Sequence, residues 1–462
     1  MKKISTFNYS LLISVMLLSC GKKLQIDPTT QVDQDKAVQD VKLMLIGAYS
    51  LIGSGGVKNI NEGGLYGTDL FLDADLLGSE SYMGWLGTFN EYQEISNKTM
   101  SSTNTSVERM WRKGYLAIGL CNTILENLGN ASADLRTQYA AEAKFIRAIV
   151  LFELVRFYGE PSTGLGVPIM LKSTQTYDEI TYPVRNTIDE VYTQVIADLN
   201  EAQANLPTSN DVYANHYSAL ALLARVYLQK GDYTNAYLTS SMVIDSNMYT
   251  LPSSVELAFN SNTSTESIFE IQQTNNNNAG TTNDGLTTFY SCDVNTPGSA
   301  TRGDVTIDSA FINMYDPLDK RRSVLIYEGN CSPGIVTTLK WHNPYTNIPV
   351  IRLSEMYLIR AEAGFITGQG SPVDDINQLR KKAGMPDYTT VSLDTIKTER
   401  QLELAFEGHR IHDLRRWNVV IPITDDDGNP ATLDYNGPQL IMPIPQNDIN
   451  TNPNLVQNSY YK

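Results

Sequence analysis

Between Ile351 and Trp417 the apolar positions recur at spacings of three and four, the pattern of helices that bury one face. Leu353, Met356, Tyr357, Ala361 and Phe365 form one stripe, closed by Gly368 and Gly370. Ile376, Leu379 and Ala383 form a second, ended by Gly384 and Pro386, so the two predict a helical hairpin. A third helix is predicted from Thr398 to about Trp417, with Leu402, Ala405 and Phe406 on its apolar face. It carries Glu399, Glu403 and Glu407 four residues apart. Such a like-charge stripe costs an isolated helix about 0.2–0.5 kcal/mol per pair, and Arg400, Arg410, Arg415 and Arg416 are the local cations expected to offset it. Gly408, inside this helix, costs about 1 kcal/mol against Ala and predicts a close backbone approach.

The same periodicity predicts helices over Val38–Leu51, from Trp111 through Leu128, over Ala140–Tyr158 up to Gly159 and Pro161, over Thr187–Leu206 and over His216–Lys230. In the last, Ala221, Ala224 and Tyr227 precede Gly231, Tyr233 and Ala236, an order of small and aromatic residues that resembles a tetratricopeptide repeat. The Ile351–Gly384 hairpin has the same build but is not consecutive with it, so scattered hairpins are expected rather than a regular solenoid. The expected fold is mainly α, with helical segments at about 37–52, 106–245 and 351–420 in one domain spanning 37–462. Segments 53–105 and 246–350, rich in Asn, Thr, Ser, Gly and Tyr, read as irregular and loop-forming, with short strands only at pieces such as Ser267–Gln272 and Ile335–Lys340. Loops this long in a folded protein are usually functional or disordered, and the polar run at 275–285 reads as a mobile loop.

The amino terminus changes the picture. Lys2 and Lys3, an apolar run from Leu11 to Leu18, then Ser19 and Cys20 read as a secretory leader too short to span a bilayer. Leu17-Leu18-Ser19-Cys20-Gly21 has the form of a lipobox, which predicts a signal peptide over 1–19, lipidation of Cys20 and a tether over 20–36. The remaining cysteines are Cys121, in a helical pattern and expected buried, and Cys292 and Cys331, for which both a disulfide and free thiols stay open. With 42% hydrophobic and 19% charged residues the chain has ample core, and a net charge of −16 argues against nucleic acid, whose binding rests on neutralising phosphates. It also disfavours an anionic main ligand, unless a local basic pocket overrides the average.

Catalytic motifs are missing: there is no GxSxG elbow, HExxH, Walker loop or GxGxxG fingerprint. No catalytic residue and no cofactor is therefore expected. His409, His412 and Asp413 share a helix face, but among four histidines and several arginines they read as part of an ion-pair network rather than a metal site. Asp425, Asp426 and Asp427 lack the terminal glutamate of a calcium loop. Sugar recognition needs other parts, namely aromatic faces with amides, carboxylates or guanidinium groups beside them. Residues 79–93 bring together Tyr82, Trp85, Phe89 and Tyr92 with Glu80, Asn90 and Glu91, and residues 283–293 offer Asn283, Asp284, Phe289 and Tyr290. Tyr82, Trp85, Phe89, Asn90, Asn283, Asp284, Phe289 and Tyr290 are the candidate ligand-binding residues, with core packing as the competing reading for Trp85. Trp341 reads as structural.

The words RLSEMYLIRAEA at 352–363, ERQLELAFEGHRIHDLRRW at 399–417 and LIMPIPQNDINTNPNLVQN at 440–458 together resemble the SusD/RagB family of Bacteroidetes outer-membrane nutrient-binding lipoproteins. YDPLDKRR at 315–322, ALLARVYLQKGDYTNAY at 220–237 and WRKGYLAIGLCNTILENL at 111–128 agree, so the resemblance spans essentially the whole chain. It implies a SusD-like fold, in which tetratricopeptide-like hairpins pack against a loop-rich region. It also implies a surface lipoprotein, without enzymatic activity, that captures a glycan or oligosaccharide and delivers it to a SusC-like TonB-dependent transporter. In such proteins ligand-contacting aromatics come from variable loops, and Trp85 lies in the corresponding early loop, a match by region and not by motif. A peptide-binding, RagB-like member of the family is the alternative, and a secreted glycoside hydrolase, which needs two carboxylates across a cleft, is the rival from another class.

Overall fold

The long helical stripes fold where the periodicity predicts them in this computed structural model, which describes residues 39–53, 63–79, 82–174, 176–259, 261–262, 264–274, 278–279, 284–296, 301–424 and 429–462. The leader, the tether, Cys20, Asn283 and the acidic turn 425–428 lie outside the described residues. Val41–Ile52 begins where Asp40 accepts from the Leu43 amide at 3.0 Å. Thr105–Glu126 begins at Asn104, whose side-chain oxygen accepts from the Ser106 and Val107 amides, and Ile188–Asn205 at a Thr187–Glu190 capping box. Arg136–Tyr158 lies between these two, buried along its second half by Phe145, Phe152, Phe157 and Tyr158. Ile188–Asn205 packs on His216–Lys230, which pairs with Tyr233–Asp245. Tyr233–Asp245 then lies against Leu353–Thr367, itself paired with Pro372–Lys382. The two repeat-like hairpins, more than a hundred residues apart in the chain, are thus neighbours in one helical array.

Strand structure is sparse. Among the described residues it consists of four antiparallel pairs: Met83–Trp85 with Val305–Ile307, Ser267–Ile271 with Ile348–Arg352, Ile326–Glu328 with Val336–Thr338, and Ile421–Thr424 with Pro430–Leu433. The second pair joins a predicted strand to the entry of the helix Leu353–Thr367, and Leu353 donates its amide to the Glu266 carbonyl at 2.8 Å.

Three expectations are corrected. The third helix is not continuous: Leu393–Glu403 ends, the chain turns, and Arg410–Arg416 follows. Phe406 and Gly408 adopt φ of 64° and 73° in the turn, and a Cβ on Gly408 would sit 2.8 Å from Phe71 Cδ1 and 3.0 Å from the Leu70 carbonyl oxygen. The close approach is there, at a break rather than inside a helix. Second, segment 53–105 is not merely loop. Leu65–Asp69, wound as a π-turn, runs into the helix Leu70–Leu77, and Asn90–Asn97 is a further helix. Asp69, Asp73 and Asp75 disguise the first of these as surface, yet all three are buried. Arg109 donates to Asp69 at 2.8 Å, Ser106 to Asp73 at 2.9 Å and Tyr290 to Asp75 at 3.0 Å.

Third, the glutamate stripe is offset from afar. Arg321 reaches Glu399 at 2.6 Å, Arg352 and Lys382 reach Glu403 at 2.7 and 2.6 Å, and Arg352 and Lys340 reach Glu407 at 2.7 and 2.6 Å. The neighbouring arginines are committed otherwise: Arg400 binds Asp413 at 2.7 Å, and Arg416 binds Glu362 and Asp413. Cys292 and Cys331 form a disulfide, Cys121 is a buried free thiol, and Trp341 is buried, its indole N–H donating to the Phe406 carbonyl at 2.9 Å.

Candidate functional site

The two predicted aromatic loops meet. Pairing of Met83–Trp85 with Val305–Ile307, with Trp85 opposite Val305, fixes the first loop against the segment that follows the second. Trp85 then packs on Tyr92 at 5.0 Å and on Phe289 at 5.6 Å between ring centroids, and Tyr92 on Phe289 at 5.1 Å. Phe89 closes the cluster edge-on to Tyr92 and Phe289.

Most of these rings are inside. Trp85 is 6% exposed, and Tyr82, Phe289 and Tyr290 are 1%, 0% and 1% exposed. Tyr82 stacks on Phe406 at 5.0 Å and its oxygen accepts the Phe406 amide, while Tyr290 donates to Asp75. Burial, against the hydrogen bond from Tyr290, pushes the Asp75 carboxyl up to about 8. Tyr82, Trp85, Phe289 and Tyr290 are therefore core and offer no open face for stacking, a correction to the expectation from loop composition. The physical reason is that strand pairing and the Cys292–Cys331 bridge tie these loops down, so their aromatics pack on each other.

What reaches solvent is the edge of the cluster. Phe89 is half-buried, Asn90 is exposed at the start of Asn90–Asn97, and Asp284 is half-buried, its carbonyl accepting from the Thr68 hydroxyl. Arg302 lies over Phe89 and Phe289, its guanidinium carbon 5.0 and 5.1 Å from the ring centroids, and donates through Nε to Asp304 at 2.7 Å. The Arg302 amide bonds the Thr288 carbonyl at 3.0 Å and the Gly303 amide bonds the Ser291 carbonyl at 2.9 Å. Gly303, at φ 62°, sits so close to the disulfide that a Cβ would lie 2.8 Å from Cys292 Cβ and 3.1 Å from Cys331 Sγ. The Trp85 indole N–H is buried without a hydrogen-bond partner among the described residues. Burial raises the carboxyls of Asp284 and Asp304, while Arg109 and Arg302 respectively pull them back. Arg302 and Asp304 were not among the candidates from sequence; their one signal is TRGD at 301–304, where a glycine separates opposite charges.

The edge therefore offers a half-buried ring, an amide, carboxylates and a guanidinium held over aromatic rings. Such a set suits hydroxyl recognition. A cavity of about 390 Å³ lies elsewhere, between Trp111, Tyr115, Tyr182 and Asp448.

Residues 336–461 match the SusD family, and residues 53–228 match a related family described as starch-binding and associating with the outer membrane. The chain is 24% identical to SusD-like protein P2 of Formosa agariphila over 92% of both chains, and 25% identical to the starch-binding protein SusD of Bacteroides thetaiotaomicron over 97% of both. Among solved structures, a putative sugar binding protein of Bacteroides vulgatus superimposes with a TM-score of 0.78 at 27% identity, covering 92% of this chain and 99% of that one. A SusD superfamily protein of Bacteroides thetaiotaomicron gives 0.77 at 24%, covering 91% and 99%. Two profile matches at the two ends of one mainly helical array, relatives aligned over nearly their full length, and a shared fold with few short strands lead to one assignment: the chain belongs to the SusD/RagB family of non-catalytic, outer-membrane-associated binding proteins.

Proposed function

We propose that this protein binds a neutral glycan or oligosaccharide at the edge formed by Phe89, Asn90, Asp284, Arg302 and Asp304, and passes it to a SusC-like TonB-dependent transporter, while acyl chains on Cys20 hold it at the outer membrane. The observation that carries the reading is Arg302, fixed over Phe89 and Phe289 and bound to Asp304. It places a directed donor and a directed acceptor beside an aromatic edge. The starch-binding description of the matching family and the sugar-binding name of one structural relative support a sugar over other ligands, and the net charge of −16 supports a neutral one.

Calorimetric titration of the Cys20→Ala chain with a panel of neutral oligosaccharides and peptides tests it. At least one glycan should bind, and Phe89→Ala and Arg302→Ala should each weaken it by about 2 kcal/mol, or roughly 30-fold. Glycan binding that neither substitution changes would remove the site from this edge. Binding of peptides alone would make the chain a peptide-binding member of the family. Co-purification of a TonB-dependent transporter with the lipidated chain from outer membranes tests the handover.

A further inference from the structure

A second, chemically different cavity lies where the end of Arg136–Tyr158 meets Arg410–Arg416. It holds about 200 Å³, is lined by Arg156, Gln229, His412, Arg415, Arg416 and Asn436 among others, and shares no residue with the glycan edge. Three arginines line it in a chain whose overall charge is −16.

The nearby carboxylates are already committed. Glu153 binds Arg156 with one oxygen and accepts from the Tyr66 hydroxyl at 2.8 Å with the other. Glu362 binds Arg416 and the Trp417 indole, and Asp413 is shared between Arg416 and Arg400 at 3.0 and 2.7 Å. Among the described residues Arg415 has no carboxylate partner, and it donates to the Arg156 carbonyl at 3.0 Å. Burial pushes its guanidinium down to about 10, opposed by the Tyr192 phenol. Nε of Arg156, Nε of Arg416 and Nε2 of His412 are also buried without hydrogen-bond partners among the described residues. His412 is 3% exposed, and burial followed by Arg156 and Arg415 pushes its pKa far down, so the ring is neutral. Neutral imidazole keeps one N–H to donate.

The arginines that line this cavity include one guanidinium, that of Arg415, without a carboxylate partner among the described residues, and such groups are costly unless something accepts from them. Their chemistry selects the acceptor. Guanidinium N–H groups and a neutral imidazole complement the oxygens of a compact anion, and Asn436, exposed at the rim, leaves a path from solvent. We infer that this cavity is a binding site for a small oxyanionic group, a sulfate, phosphate or carboxylate, whether free or carried on a sugar. The site is independent of the proposed glycan edge.

The test is calorimetry on the purified full chain at fixed ionic strength, with sodium sulfate, phosphate and acetate as free anions, glucose 6-sulfate and glucuronate as carried ones, and sodium chloride as reference. Saturable binding of at least one oxyanion is expected, weakened about tenfold or more by Arg415→Gln. Asn436→Trp, which narrows the mouth without touching a guanidinium, should weaken it as well, and carries the test if Arg415→Gln does not fold. Tighter binding of the sugar-borne groups than of the free ions identifies a carried anion as the ligand, and equal binding identifies an inorganic one. No saturable heat beyond chloride, or binding that survives both substitutions, overturns the proposal.

Discussion

Glu407→Ala separates a structural role for the buried charges from a role in binding. Glu407 accepts from Arg352 Nε and a terminal nitrogen at 2.7 and 2.8 Å and from Lys340 at 2.6 Å, and all three residues are buried. Truncating one member of a buried ion pair typically costs about 3–5 kcal/mol, because the partner stays buried. Here Arg352 keeps Glu403 at 2.7 Å, and Lys340 keeps the Glu403 and Ala405 carbonyls, both at 2.9 Å, so the low end, about 3 kcal/mol, is expected. At about 2.1 cal/mol/K of unfolding entropy per residue, that lowers the Tm by roughly 3 °C. The cost should also depend on pH in a definite way. Arg352 and Lys340 hold the Glu407 carboxyl below its usual 4.5, although burial opposes them, so the stability it supplies is present above that value and fades as pH falls through the lowered pKa. Burial holds Lys340 down to about 8 against its usual 10.5, despite Glu407. Between those two values the unfolded chain binds a proton that the folded chain lacks, so stability rises with pH there, and the ion pair itself weakens above about pH 8. The difference between wild type and Glu407→Ala should therefore be widest between about pH 5 and 8 and shrink on both sides. Denaturant unfolding of both proteins across that range measures it, with calorimetry giving affinity per folded molecule. Normal stability combined with lost ligand binding would refute the structural assignment.

Trp85→Ala should behave as a core deletion, losing about 3–5 kcal/mol of stability, with any change in ligand affinity secondary to the damaged packing; an undestabilised variant in urea unfolding would contradict its burial. Gly408→Ala should cost at least about 2 kcal/mol, from the left-handed backbone and from collision with Phe71; a thermal melt matching wild type would show that the turn can relax. Cys20→Ala should move the chain from the membrane fraction to the soluble one, and an intact mass of the mature wild-type protein without acyl chains would rule the anchor out.

How much of this was legible depended on whether a residue's type announced its environment. The helices Arg136–Tyr158 and His216–Lys230 were legible because each is a long, strongly apolar helical segment that stops at a glycine, Gly159 or Gly231. Leu65–Leu77 was not, since three aspartates in LYGTDLFLDADLL read as solvent-facing, and their partners Arg109, Ser106 and Tyr290 lie 33 to 215 residues away. The break at Leu404–His409 was hidden for the same reason. Nothing local shows that Glu403 and Glu407 answer to Arg352, Lys382 and Lys340 rather than to the arginines beside them.

The candidate site inverts the usual reading of composition. Aromatics in polar loops suggested open stacking faces, yet with Met83–Trp85 paired to Val305–Ile307 and Cys292 bridged to Cys331, the rings became the loops' own core. A loop tied down at both ends cannot leave several large apolar rings in water when they can bury one another. What is left to recognise a ligand is then the polar margin, and Arg302 shows how such a margin is made rigid. Its amide bonds the Thr288 carbonyl, its neighbour Gly303 bonds the Ser291 carbonyl and is pressed against the disulfide, and its side chain is held between Asp304 and two rings. A guanidinium placed that way loses little conformational freedom on meeting a ligand. If the proposed edge is the binding site, the buried aromatics contribute to recognition by holding Arg302 in place, and affinity should follow the geometry of Arg302 more closely than the exposure of any ring.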